Sequence, residues 1–189
     1  TPAKGRRGLV LAGLGVLVAL AVVAGGLVLA GGGGGGGGGF SETDDGTLVF
    51  HGHSDGVLSM AQLPDGRLVS AGADATVQVW DPDRTDVDPV VFEGHEDVVR
   101  GVAALDADRI VSASVDGTAR VWSVADPGEP VTVFDGHGAE VAAAAALGDG
   151  GPVATTGEDG MVQVWDPDSG SIRAVLDMGG AVRAVIAVY

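Results

Sequence analysis

Residues 91–122 read VFEGHEDVVRGVAALDADRIVSASVDGTARVW. The leading Val-Phe-Glu is closed by Gly94-His95, and three more short runs follow: VVRGVAAL, RIVSAS and TARVW. Gly and Asp break the chain between them, as turn residues do between strands. Apolar or small residues alternate with polar ones in RIVSAS and TARVW, a period of two that suits a pleated strand. No stripe of helical period persists. The same text occurs twice more. VFHGH begins at Val49 and VFDGH at Val133; Gly52, Gly94 and Gly136 are spaced 42 residues apart. Trp80, Trp122 and Trp165 follow at intervals of 42 and 43. Four strand signals per unit, repeated at such a period, predict a series of four-stranded sheets.

Within each unit a histidine, a hydroxyl residue, an aspartate and the tryptophan recur at matched spacing. The aspartate stands six residues before the tryptophan and the hydroxyl four before the aspartate. The quartets are His53, Ser70, Asp74 and Trp80; His95, Ser112, Asp116 and Trp122; and His137, Thr155, Asp159 and Trp165. With Gly-His opening each unit and Trp80-Asp81 and Trp165-Asp166 closing two of them, the chain from Thr47 onward resembles the WD40 repeat family. Trp122-Ser123 departs from the closing Trp-Asp. The resemblance implies an all-β fold of WD40-type β-propeller blades, partial and open; one transmembrane α-helix is expected ahead of them from residues 8–30. Blades are expected near 47–90, 91–132 and 133–174, with an incomplete unit at 175–189, where Val175-Leu176-Asp177-Met178-Gly179-Gly180 stands in place of VFDGH without its His. It also implies that each quartet is a hydrogen-bonded strut inside its blade. A buried imidazole or indole N–H without a partner costs roughly 1–3 kcal/mol, which gives such a network its physical reason.

Ser, His and Asp together invite comparison with a hydrolase triad. The same trio at one spacing in three units argues against it, since a catalyst needs one, and no G-x-S-x-G elbow is present. The chain has no Cys, so a thiol nucleophile, Cys-ligated zinc and disulfides are excluded. Asp81, Asp83, Asp86 and Asp88 crowd one loop but lack the Gly and Glu spacing of a calcium-binding loop, and read as a solvated turn. His51 is expected on a loop. No phosphate-binding, dinucleotide-binding or zinc-protease motif occurs, so neither a cofactor nor a small-molecule substrate is expected. Net charge is −16, and all 26 acidic residues lie after position 41, against seven arginines there. Such a domain repels a phosphate backbone, which excludes nucleic acid as the expected partner.

Residues 1–7 are a basic flank with Lys4, Arg6 and Arg7. Gly8 to Ala30, GLVLAGLGVLVALAVVAGGLVLA, has no charged residue over 23 positions and is long enough to cross a hydrocarbon core of roughly 30 Å. It exceeds the usual signal-peptide core of about 7–15 residues, and Leu29 breaks a small-x-small cleavage pattern, so a lipid-embedded anchor is favoured. Basic residues precede it alone, which predicts a cytoplasmic N-terminus and an extracytoplasmic WD40 region. Residues 31–46 form a Gly-rich linker. The expected function is a membrane-anchored, non-catalytic scaffold that binds other proteins through the propeller's top face, at Ser54, Asp55, Glu96, Asp97, Val115 and Glu158. The alternative is the extracytoplasmic sensor region of a receptor-like Ser/Thr protein kinase whose catalytic domain lies upstream.

Overall fold

The computed structural model describes residues 27–29, 39–42, 44, 48–84 and 86–185. They form strands only: β1 (Leu27–Leu29), β2 (Gly39–Glu42), β3 (Leu48–His51), β4 (Val57–Gln62), β5 (Leu68–Gly72), β6 (Val77–Trp80), β7 (Val90–Phe92), β8 (Val99–Ala104), β9 (Arg109–Ser114), β10 (Ala119–Ser123), β11 (Thr132–Phe134), β12 (Val141–Ala146), β13 (Val153–Gly157), β14 (Met161–Trp165) and β15 (Ile172–Asp177). Strands β4 to β7, β8 to β11 and β12 to β15 make three antiparallel meanders of four strands each, the blades of a β-propeller.

Both faces of the middle blade are covered: its strands bury Val102, Ile110 and Trp122 on one side and Val111, Ala113, Ala119 and Val121 on the other. In β5 and β6 the period of two puts Val69, Ala71, Val77 and Val79 on one face and Leu68, Ser70, Gln78 and Trp80 on the other. The first set packs against Val99, Val102, Ile110 and Trp122 of the second blade. The second blade repeats the arrangement: Val111, Ala113, Ala119 and Val121 meet Val141, Ala144, Val153 and Trp165 of the third. Two interlayer cores result, one between each pair of blades. The inner strands approach closely. The Ser59 hydroxyl accepts the Val102 N–H across the first gap at 3.2 Å. A Cβ on Gly101 would stand 3.2 Å from the Ala143 Cα across the second, so a side chain there would push those backbones apart by a few tenths of an ångström. Each inner strand carries the same register shift against its neighbour, at Val57/Ser59, Val99/Gly101 and Val141/Ala143.

The sheets are offset from the sequence units. They run from Val57 to Phe92, Val99 to Phe134 and Val141 to Asp177, rather than 47–90, 91–132 and 133–174. The Val-Phe that opens the second and third units is the outer strand of the preceding sheet, because the Gly-His loop turns the chain from that edge to the next inner strand. Val175-Leu176-Asp177 therefore completes the third blade and does not begin a fourth at 175–189.

The expected membrane helix over 8–30 falls outside the described residues except at Leu27–Leu29, which form a strand instead. They pair parallel to β3, with Leu27 opposite Leu48 and Leu29 opposite Phe50. An exposed strand edge offers unpaired backbone groups, and this short segment satisfies them. Likewise Gly39–Glu42, assigned to the linker, pairs antiparallel with the other side of β3. Among the described residues no helix is long and apolar enough to cross a membrane.

Candidate functional site

Each histidine lies in the loop entering an inner strand, each hydroxyl on the second strand, each aspartate in the turn after it, and each tryptophan on the third strand. The structure brings the four together in every blade. In the first, His53 Nδ1 lies 3.0 Å from both Asp74 carboxylate oxygens and His53 Nε2 lies 2.7 Å from Ser70 Oγ. The Trp80 indole N–H donates to the same oxygen at 2.8 Å. In the second, the His95–Asp116, His95–Ser112 and Trp122–Ser112 distances are 2.7, 2.8 and 2.8 Å. In the third, His137–Asp159, His137–Thr155 and Trp165–Thr155 are 2.8, 2.9 and 3.1 Å. One proton arrangement satisfies all of them: Nδ1–H donates to the carboxylate, the hydroxyl donates to Nε2, and the indole donates to the hydroxyl.

Two residues that the sequence reading did not single out complete the first two networks. Thr76 and Thr118 stand two positions after Asp74 and Asp116, and their hydroxyls donate to those carboxylates at 2.8 and 2.7 Å. The signal was present as Asp-x-Thr in two units. Met161 takes that position in the third, and its amide alone donates to Asp159, at 2.9 Å. Burial works against the charge of Asp116, yet hydrogen bonds from Thr118 and His95 bring its carboxyl down to about 2. Burial pushes the His95 imidazole below its ordinary value, overriding the upward pull of Asp116. Asp74 is lowered against the opposing effect of burial by His53, Thr76 and the Ser54 amide. Asp159 is lowered in the same sense by the Met161 amide and His137.

A second missed group ties the blades to one another. Phe92, on the outer strand of the first blade, meets Trp122 of the second edge-on, with ring centroids 5.6 Å apart. Phe134 stacks on Trp165 of the third at 4.5 Å. Phe50 of β3 meets Trp80 edge-on at 5.1 Å. Each tryptophan is thus held by its own blade's hydroxyl on one side and by the phenylalanine of the strand before the histidine loop on another.

The six expected docking residues share the end of the molecule that carries the histidine loops and aspartate turns. Ser54, Asp55, Glu96 and Asp97 are exposed. The Ser54 and Glu96 amides donate to Asp74 and Asp116, at 2.8 and 3.1 Å, which fixes those loops to the networks beneath. Val115 and Glu158 are half-buried rather than exposed. The cause is the turn they occupy, where their amides donate to Val98 and Glu140 carbonyls at 2.9 and 3.0 Å. Glu158 also accepts from Arg183 Nε at 3.0 Å. His51 is exposed at the end of β3, and the Asp81 carboxylate caps its own loop by accepting the Asp83 N–H at 3.0 Å. At the opposite end, the turns leaving the inner strands line an open hollow of about 660 Å³ between Leu63, Leu105, Asp106 and Asp149. Its Asp106 is engaged by Arg109 at 2.7 Å.

The WD40 family model, described as WD domain, G-beta repeat, matches residues 45–81, 89–123 and 128–166. These segments make up more than half of the chain, and the chain belongs to the WD40 repeat family. No curated protein matches it.

Proposed function

We propose that the chain is a non-catalytic protein-interaction scaffold, anchored in a membrane by the uncharged run that begins at Gly8 and ends before the Leu27–Leu29 strand, whose docking surface is the end of the propeller bearing the histidine loops. One observation carries this reading. All three polar quartets are spent on identical internal hydrogen bonds, while the loops they brace present Ser54, Asp55, Glu96 and Asp97 to solvent on a rigid base. Rigid loops on a repeated scaffold suit recognition of another protein surface. The anchor and the extracytoplasmic placement rest on the uncharged run after Lys4, Arg6 and Arg7. A sensor region behind an upstream kinase would use the same face and differ only in what precedes residue 1.

The test is site-specific photo-crosslinking of the full chain in membranes. A crosslinker at Asp55 or Asp97 should capture a discrete protein adduct, and one at Pro64 or Asp108, at the opposite end, should not. Equal capture at both ends, or none at the histidine end, would refute the assigned surface. Protease protection on sealed vesicles tests orientation: degradation from the cytoplasmic side alone would reverse it.

A further inference from the structure

Strands β7 and β11 each close a sheet. Each pairs on one side only, β7 with β6 and β11 with β10, so among the described residues no strand lies against the other side. That side offers a row of backbone N–H and C=O groups. Apolar side chains stay at the surface there. Val91 and Val133, at matching positions, are 40% and 48% exposed, next to Phe92 and Phe134 at 1% and 4%. Two residues further on, each edge carries an exposed carboxylate, Glu93 or Asp135. Arginines engage Asp65, Asp106, Glu140 and Asp166, and none among the described residues engages these two. The molecule itself shows what such an edge accepts. Strand β3 bears the same Val-Phe, as Val49-Phe50, 42 residues before Val91-Phe92. Strand β2 pairs antiparallel with it, Phe40 opposite Phe50, just as Val77 lies opposite Phe92 and Ala119 opposite Phe134. On its outer side lies Leu27–Leu29, in parallel, with Val28 opposite Val49.

We infer that the outer edges of β7 and β11 receive, in parallel, an extended segment of another protein. That segment sets an apolar residue beside Val91 or Val133 and a basic residue beside Glu93 or Asp135. Charge selects the occupant. The chain's own Leu27–Leu29 is followed by Ala30 and glycines, which suit β3, where His51 stands in place of the acid. It has no base to offer Glu93 or Asp135. A second copy would bring another carboxylate to the same place, and 26 acidic residues against seven arginines after position 41 repel it further. Pro89 and Pro130, which have no N–H to give, stand just before the two strands and limit pairing to a short segment. Main-chain hydrogen bonds supply the affinity, and the valine and the acid supply the selectivity. This surface is separate from the histidine loops, so either can fail without the other.

The test is fluorescence anisotropy of a dye-labelled synthetic peptide, a short chain alternating valine with arginine, titrated with the full chain in detergent micelles. Saturable binding is expected. Two further peptides carry N-methyl groups at the valines or at the arginines, which leaves charge and side chains unchanged. One of them should bind more than about tenfold more weakly and the other nearly as well as the parent, because only one row of amides faces the edge. Glu93→Lys combined with Asp135→Lys should weaken the arginine peptide about fivefold and favour a peptide with glutamate in its place. Both positions are exposed, and near-UV circular dichroism of the three tryptophans verifies that the substituted chain is folded. Three results would each overturn the proposal: no saturable binding, equal binding of both N-methylated peptides (attraction by net charge alone), or an unchanged preference for arginine after the double substitution.

Discussion

Ser112 is the point where the central network can be broken with least change of shape. Its oxygen accepts the Trp122 indole N–H and faces His95 Nε2, both at 2.8 Å, and the side chain is fully buried. Ser112→Ala deletes one oxygen. The space left is too small for a water with its own partners, so the indole donor loses its acceptor at a cost of about 1–3 kcal/mol. The imidazole Nε2 loses its donor, which adds about 1 kcal/mol. The expected loss is about 2–4 kcal/mol of unfolding free energy. Thr155→Ser in the third blade is the control for volume. It keeps the hydroxyl that takes Trp165 and His137, at 3.1 and 2.9 Å, and removes one methyl, for about 1 kcal/mol. Urea unfolding of the full chain followed by tryptophan fluorescence measures both, with an unchanged denaturant slope required for the comparison. Hydrogen exchange at the Trp122 indole supplies a local reading. If Ser112→Ala costs less than about 1 kcal/mol, or no more than Thr155→Ser, the network is not what holds the blade and the reasoning fails.

Two further outcomes follow from backbone and charge. Ala75 sits at φ 65° in a turn where the other blades have Gly117 and Gly160, at φ 88° and 79°. Ala75→Gly should relieve about 1–2 kcal/mol of left-handed strain, less the unfolded-state freedom of glycine, and so raise stability by about 0.5–1 kcal/mol in the same urea assay; a loss of stability would contradict it. The second concerns acid. Asp116, held at about 2 against an ordinary 3.8, stabilises the fold fully above its ordinary value and loses that contribution as pH falls toward 2. His95, held below 6.5, acts in the same direction: the unfolded chain takes up the proton first, so stability falls as pH drops below 6.5. The stability advantage of wild type over Asp116→Asn should shrink by on the order of 1–2 kcal/mol between about pH 4 and pH 2. A pH-independent difference would show that the carboxylate's charge is not what matters.

The residues that sequence periodicity makes legible are those whose chemistry repeats. Trp80, Trp122 and Trp165 and their hydroxyl, aspartate and histidine neighbours recur at fixed offsets, and the structure brings every one of those quartets within hydrogen-bonding distance. What periodicity could not supply was phase. A repeat of 42 residues states that Phe92 recurs as Phe134, but not that it belongs to the sheet behind it, since that depends on which edge the Gly-His loop leaves. Hence the sheet limits were displaced by one strand, and the phenylalanine–tryptophan contacts between blades went unread. Thr76 and Thr118 were overlooked because the third unit has Met161 there, so the position lacked a threefold signature. Turn residues are usually exposed, which is the ground for expecting Val115 and Glu158 at the surface; both are half-buried, in turns whose amides are engaged by neighbouring carbonyls.

Because each unit after the first surrenders its first strand to the sheet before it, no blade is encoded by one contiguous repeat. Duplicating or excising a unit at the Gly-His boundary would always hand its neighbour a finished edge, much as overlapping shingles can be added to a roof without recutting the row below. The same overlap forbids private failure. A unit that melts withdraws Phe92 or Phe134 from one sheet and the tryptophan's partners from another, so damage at one repeat is shared by two.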